Sequence, residues 1–162
     1  MKLIFISEEN FSEVAKIYGE GLLTGIATFE TTLPSWEKWD KGHLNFGRIL
    51  AIEENKYLGW AALSPVSSRC VYGGVAEVSV YVSSTARGKG VGEFLLKNLI
   101  ELSEENNIWT LQSGIFRENI ASHKLHLKCG FREIGFKEKV GQLKGVWKDN
   151  VLLERRSKTV GI

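Results

Sequence analysis

The chain predicts an α+β, or mixed α/β, fold in a single domain covering residues 1–162. Segments with strand character outnumber helical ones, and most are joined as hairpins. Helical patterns are inserted around the middle rather than after every strand, which excludes a regular parallel alternation. A length of 162 residues, 43% of them hydrophobic, suffices for one buried core, with no repeat, linker or low-complexity tract to divide it.

Taken in order, "KLIFIS" is a short β-rich run, and in "EENFSEVAKIY" Phe11, Val14, Ile17 and Tyr18 recur at helical spacing. "GEGLLTGIATFETTLP" is looser. Pro34 stands at a helix start, with Trp36, Trp39 and Leu44 on one side. A hairpin follows: a strand through Ile49 to Glu53, an "ENK" turn, and a strand through Tyr57 to Leu63. "VAEVSVYV" alternates, with Val78, Val80 and Val82 on one face and Glu77, Ser79 and Tyr81 on the other. From about Gly90 a helix carries Val91, Phe94, Leu95, Leu99 and Leu102 on one stripe. "TLQSGIF" reads as a strand, "NIASHKLHLKCG" as a helix closed by Gly130, "FREIGFKEK" as a strand, and "LKGVWKDNVLLERR" as extended to the end.

Composition narrows the function. A net charge of +2 without clustered Lys and Arg argues against a nucleic-acid partner. The N-terminal apolar run is too short for a signal peptide, and no stretch is long enough to cross a bilayer, so a soluble cytoplasmic domain without a membrane partner is expected. Cys70 and Cys129 lack the spacing of a disulfide framework or a zinc site, so no metal is expected and both read as reduced thiols.

The chemistry-bearing stretch is "EVSVYVSSTARGKGVGEFLLKNLI", a strand, a glycine-rich turn and a helix. A dinucleotide fingerprint fails, because Glu93 stands where Gly-x-Gly-x-x-Gly needs its last glycine, and a P-loop fails on spacing. What remains is Arg87-x-x-Gly90-x-Gly92. Glycines let the backbone approach a ligand, several N–H groups point at one spot, and the helix dipole favours negative charge, which suits a pyrophosphate. Arg87 and Lys89 add positive charge. A glycine-rich turn with no ligand is the alternative.

This turn resembles the acetyl-CoA loop of GCN5-related N-acetyltransferases (GNAT), and "NIASHKLHLKCGF" is similar to that family's later Asn-to-Gly-Phe helix, at the right separation. "IATFETTLP", "GWAALSPVSSR", "RCVYGGVAEVSVYVS" and "GQLKGVW" extend the likeness over nearly the whole chain, toward the phosphinothricin acetyltransferase-like subgroup. The resemblance implies a mostly antiparallel sheet of about seven strands, splayed at its middle and flanked by about four helices. It implies acetyl-CoA as co-substrate, a homodimer, and a small amino-acid-like acceptor of the phosphinothricin, methionine sulfoximine or methionine sulfone type.

Acetyl transfer to an amine needs a base, donors for an oxyanion, and an acid for the departing thiolate. Glu77 begins the strand that feeds the turn and coincides with the family's general base; an ordinary surface glutamate is the alternative. His126 stands where many relatives carry a tyrosine acid, and either protonates the thiolate or is a packed histidine that shapes the site. The pyrophosphate loop would be Arg87, Gly88, Lys89, Gly90, Val91, Gly92 and Glu93. Asn119 caps its helix and, by resemblance, reaches the pantetheine arm with Ser122, while Val80 and Val82 offer backbone groups to that arm. Arg69, with Tyr72, would fork an acceptor carboxylate or phosphinate. Phe29 and Glu30 would wall the acceptor pocket and meet its amino group, or else be a core phenylalanine and a solvated acid. His43 and His123 read as surface residues. An acetyltransferase for protein N-termini or other amines, and a non-catalytic acyl-CoA-binding sensor, are the competing functions.

Overall fold

In the computed structural model, which describes residues 1–162, the strands are β1 (Lys2–Phe5), β2 (Ile49–Glu53), β3 (Lys56–Pro65), β4 (Val75–Val82), β5 (Thr110–Phe116), β6 (Arg132–Leu143) and β7 (Val146–Arg156). The helices are α1 (Phe11–Thr24), α2 (Trp36–Gly42), α3 (Val91–Glu105) and α4 (Ile120–Lys128). All seven strands join one sheet in the order β1-β2-β3-β4-β5-β7-β6. Neighbours are antiparallel except β4 and β5, which run parallel because α3 carries the chain from one to the other. The mixed, mostly antiparallel sheet with four flanking helices is therefore what forms.

Two tight turns set the hairpins. Glu54 and Asn55 adopt φ of 48° and 64°, the paired left-handed conformation of a two-residue β-turn, so β2 and β3 need only that link. Between β6 and β7 the chain reverses at Lys144–Gly145, with φ of 48° and 80°. The extended tail expected from "LKGVW" onward is thus split: Leu143 closes β6, and β7 opens at Val146.

α1 also differs from expectation, running on through "GEGLLT" to Thr24 and ending at Gly25 with φ of 68°. Gly21 is there for close approach, since a Cβ on it would come within 2.8 Å of the Tyr81 ring. The helix lies directly on β4 at that point.

Each face of the sheet has its own core. α3 buries Leu95, Leu96 and Leu99 completely against Ala61, Leu63 and Val78, each leucine contributing about 1.5–3 kcal/mol. Gly59 lets it settle that closely, since a Cβ there would meet Leu95 at 2.9 Å. On the opposite face α1 and α2 pack Val14, Ile17 and Trp39 against Leu50, Trp60 and Ala62. His43 belongs to this second core rather than to the surface. Its ring stacks on Trp39 with centroids 4.1 Å apart, because α2 ends at Gly42 and turns the next side chain inward.

The feature that matters for a site is the β4–β5 junction. Only Val75, Ala76 and Glu77 pair with β5, opposite Thr110, Leu111 and Gln112. Both strands continue, to Val82 and Phe116, without pairing to each other. The sheet therefore divides into two halves above Glu77, leaving a cleft between them.

Candidate active site

Backbone alternation decides what lines the cleft. Ser83 donates its N–H to the Leu58 carbonyl on β3, while the Gly74 carbonyl accepts from Trp109 and Thr110 on the β5 side. Residues of the same parity as Gly74 therefore turn their backbone groups toward β5. Above the last ladder pair these include Val80 and Val82, whose side chains pack into the α3 core. The free edge of β4 is thus a row of backbone donors and acceptors able to hold an extended polar chain.

At the top of this edge a single 3₁₀ turn, Ser84–Ala86, leads into the glycine loop and α3. Gly88 and Gly90 have φ of 73° and 80°, and a Cβ on either would meet nothing within 4 Å. Glycine is needed here for conformation, with open space above the backbone. The first N–H groups of α3 have no partners within the helix, and Gly90 caps it without a side chain. Arg87, Gly88, Lys89 and Gly90 are exposed around them. Geometry and charge here suit an anion, and the residues fit a diphosphate. Lys89 donates from Nζ to the Thr85 carbonyl at 2.9 Å. Val91 is buried in the core. A Cβ on Gly92 would come 3.0 Å from Leu125, so that glycine serves the α3–α4 contact. The Glu93 carboxylate pairs with Lys97 at 2.7 Å and Lys128 at 2.5 Å, and those two ammonium groups hold its pKa at about 2. Its side chain braces α3 against α4, leaving only its backbone for the cradle.

Glu77 stands at the foot of the cleft, opposite Gln112 in the last pair of the ladder. Its face of the sheet is that of α1 and α2, opposite to the α3 core. The side chain is open to solvent yet crowded by the strands around it. Burial pushes its carboxyl above the usual carboxylate range, against the Gln112 side chain and the Lys137 charge, which favour the ionised form. A carboxylate poised this way is a better base than a free one.

The segment between α1 and α2 crosses the cleft on this face. The Thr28 hydroxyl lies against the Tyr18 and Tyr81 phenols on the β4 side. The next residue, Phe29, packs edge-on to Phe116 of β5, centroids 4.5 Å apart, and covers Gly141 of β6. Glu30 follows, exposed and close enough to raise both phenol pKa values further after burial has raised them. One segment thus bridges both halves of the divided sheet. Arg69 and Tyr72 lie on the β3–β4 connection, the guanidinium 5.5 Å from the tyrosine ring centroid and both side chains exposed.

The second candidate catalytic group sits differently. His126 is 3% exposed, its ring edge-on to Phe131 at 5.0 Å. Nδ1 donates to the Ser122 carbonyl at 2.7 Å, leaving Nε2 buried without a partner. Burial holds its pKa below the ordinary histidine value, so the ring is neutral at physiological pH. Asn119 caps α4 by accepting the Ser122 N–H at 3.2 Å. His123 bonds to Glu133 at the surface.

The cleft therefore gathers Glu77, Val80, Val82, the loop at residues 87–92, Phe29 and Glu30. His126 is buried against Phe131, and none of its contacts is with those residues. Gln112, Lys137, Thr28 and the Tyr18–Tyr81 pair escape the sequence reading. Alternation puts Tyr81 on the Glu77 face, but nothing local signals partners drawn from other elements.

No group of three or more His, Cys, Asp or Glu side chains is placed to hold a metal ion, and no helix is long and apolar enough to cross a membrane. A family model described as "Acetyltransferase (GNAT) family" matches residues 14–131. A phosphinothricin N-acetyltransferase of Alcaligenes faecalis is 31% identical over 159 residues, covering 93% of this chain and 79% of that protein. The crystal structure of a GNAT phosphinothricin acetyltransferase from Sinorhizobium meliloti with acetyl-CoA superposes with TM-score 0.88 at 27% identity, covering 99% of this chain and 90% of the other. A structure described as a ribosomal-protein-alanine N-acetyltransferase from Brucella melitensis superposes with TM-score 0.89 at 30% identity, over 97% and 100% of the two chains.

Proposed function

Because this chain belongs to the acetyltransferase (GNAT) family, we propose that it is an acetyl-CoA-dependent N-acetyltransferase acting on the α-amino group of a small amino-acid-like acceptor, of the phosphinothricin or methionine sulfone type. The observation that carries this is the end of the β4–β5 ladder at Glu77, on the same strand that leads into the glycine cradle. A base and an anion site are thereby fixed at opposite ends of one cleft. When bound, acetyl-CoA supplies the activated acetyl group.

The chain's own residues do the rest. Arg87 and the amides from Gly88 to Gly92 receive the diphosphate, and the free β4 edge at Val80 and Val82 lines up the pantetheine arm, with Asn119 and Ser122 beside it. The acceptor enters from the α1/α2 face. There Arg69, backed by Tyr72, holds its acid group, while Phe29 and Glu30 close over it. Glu77 takes the proton from the acceptor amine, directly or through a water. An N–H on the free edge of β4 stabilises the developing oxyanion. His126, neutral and committed through Nδ1, packs the wall, so CoA departs as the thiolate and takes its proton from solvent. Neither Cys70, exposed on the β3–β4 connection, nor Cys129, buried behind α4, is placed as a nucleophile, so transfer is direct.

The relative acting on phosphinothricin supports the acceptor class. The likeness to a ribosomal-protein-alanine acetyltransferase favours one alternative, an N-terminal alanine of a protein. A thiol-release screen decides between them. Turnover with phosphinothricin, methionine sulfoximine or methionine sulfone supports the assignment, whereas turnover confined to an alanine-initiated peptide replaces it. Acetyl-CoA binding without thiol release on any amine would make the protein a sensor. The same assignment carries a homodimer in the cytoplasm. Exposed Phe136, Val146 and Trp147 on β6 and β7 support a self-contact, and light scattering on the purified protein would refute it by returning one chain mass.

A further inference from the structure

The turn that precedes the coenzyme loop is gripped by a residue 64 positions earlier: a Glu20 carboxylate oxygen accepts the Ser84 N–H. That N–H opens the 3₁₀ turn Ser84–Ala86, whose own N-cap residue, Ser83, makes no side-chain cap. Glu20 is thus a cap supplied from outside. Burial would raise its carboxyl, but the Ser84 N–H, the Ser84 and Ser83 hydroxyls and the Arg87 guanidinium outweigh it and keep the group ionised.

An anion beside an anion cradle opposes ligand binding electrostatically, so its placement calls for a geometric reason. α1 supplies one. Directly next to Glu20, Gly21 lies on the Tyr81 ring, and Tyr18 packs edge-on against Tyr81 and Trp60 at 4.8 and 5.8 Å. The base of the Glu20 side chain is therefore fixed to the core, and its carboxylate is an anchor for a turn whose first N–H has no other side-chain cap. The Arg87 guanidinium adds only a weaker attraction to the same carboxylate.

Resting on the coenzyme assignment above, we propose that Glu20 is a positioning residue for acetyl-CoA: it caps the Ser84–Ala86 turn and so sets the angle at which the loop from Arg87 to Gly92 leaves β4. Its role is geometric, so an amide oxygen replaces it and a methyl group does not.

Calorimetric titration of acetyl-CoA into the wild-type protein and into Glu20→Ala, Glu20→Gln and Glu20→Asp tests this, with steady-state kinetics on whichever acceptor the screen returns. Loss of a helix cap predicts a rise in Kd and in KM for acetyl-CoA of about five- to tenfold for Glu20→Ala. Glu20→Gln, which keeps an acceptor for the Ser84 N–H, stays within about twofold of wild type, and kcat at saturating acetyl-CoA stays within about twofold for both. If Glu20→Ala does not fold, Glu20→Asp carries the test: its shorter side chain cannot reach Ser84 and must weaken binding several-fold while Glu20→Gln does not. A wild-type Kd in Glu20→Ala or Glu20→Asp, or equal weakening in Glu20→Gln, overturns the proposal alone. Failure of the wild-type protein to bind acetyl-CoA overturns the coenzyme assignment and the proposal with it.

Discussion

Replacing Gly90 with alanine isolates the conformational demand of the anion cradle. Its φ is 80°, and a Cβ built there meets no atom within 4 Å. Steric clash therefore contributes nothing, and the whole cost is the left-handed backbone, about 1–2 kcal/mol for an L-residue. The loop can respond in two ways. If it keeps its shape, the folded state absorbs the cost, which lowers Tm by about 2–8 °C for a chain of this size and leaves acetyl-CoA affinity alone. If it relaxes to negative φ, Tm holds, the amides lose their convergence, and Kd rises by about 5- to 30-fold. The two losses should sum to about 1–2 kcal/mol. Differential scanning calorimetry and isothermal titration on the same preparation measure both. Gly92→Ala is the control: its backbone is not left-handed, and the added Cβ meets only side-chain ends, Leu125 at 3.0 Å and Val82 at 3.6 Å, while the Gly92 amide stays in place. If Gly90→Ala changes neither Tm nor Kd, or if Gly92→Ala weakens acetyl-CoA binding as much, the cradle has been misassigned.

Four further outcomes follow from the same geometry. Glu77→Gln should lower kcat/KM by about a hundred- to ten-thousandfold, as expected for loss of a general base, without altering acetyl-CoA affinity. Because the ionised form is the active one and burial raises its pKa, activity is lost as pH falls through a value above the ordinary carboxylate range. Lys137→Met removes a nearby positive charge and moves that limb to still higher pH, and a fall in its midpoint would contradict the placement of Lys137. His43 and His126 both have pKa values lowered by burial from 6.5. Unfolding exposes them to ordinary protonation, so stability is full above pH 6.5 and declines as pH drops toward their folded values; thermal melts in which His43→Asn and His126→Asn together leave that decline intact would refute the assignment. Gly59→Ala should cost about 3 kcal/mol or more by overpacking, because its Cβ would lie 2.7 Å from the fixed Tyr81 carbonyl oxygen, and a chemical melt with an unchanged midpoint would contradict it.

Much of the coenzyme side is legible in the sequence because its signals are local. Alternation in "VAEVSVYV", glycines at positions 88 and 90, and the stripe from Val91 to Leu102 each lie within one turn, strand or helix, and each element forms where its pattern stands. The acceptor side is harder. Thr28 against Tyr81, Phe29 against Phe116, and Lys137 near Glu77 are brought together by the division of the sheet, which no periodicity encodes. α1 reads short because glycines 19 and 21 resemble a helix end, whereas Gly21 is required by an aromatic ring on another strand. His43 looks superficial because its partners, Trp39 and Trp60, meet it only after α2 has packed. Glu20 carries no local signal at all.

The three-pair ladder between β4 and β5 separates two tasks within one chain. Its last pair pins Glu77, the proposed base, while the mouth above it is spanned by side chains of a connecting segment and by no interstrand bonds. Substitutions between Ala27 and Leu33 can therefore recut the entrance for bulkier or slimmer amines at almost no cost to the sheet. On the proposed assignment, acceptor choice would then be tunable from this segment with Glu77 and the ladder left in place.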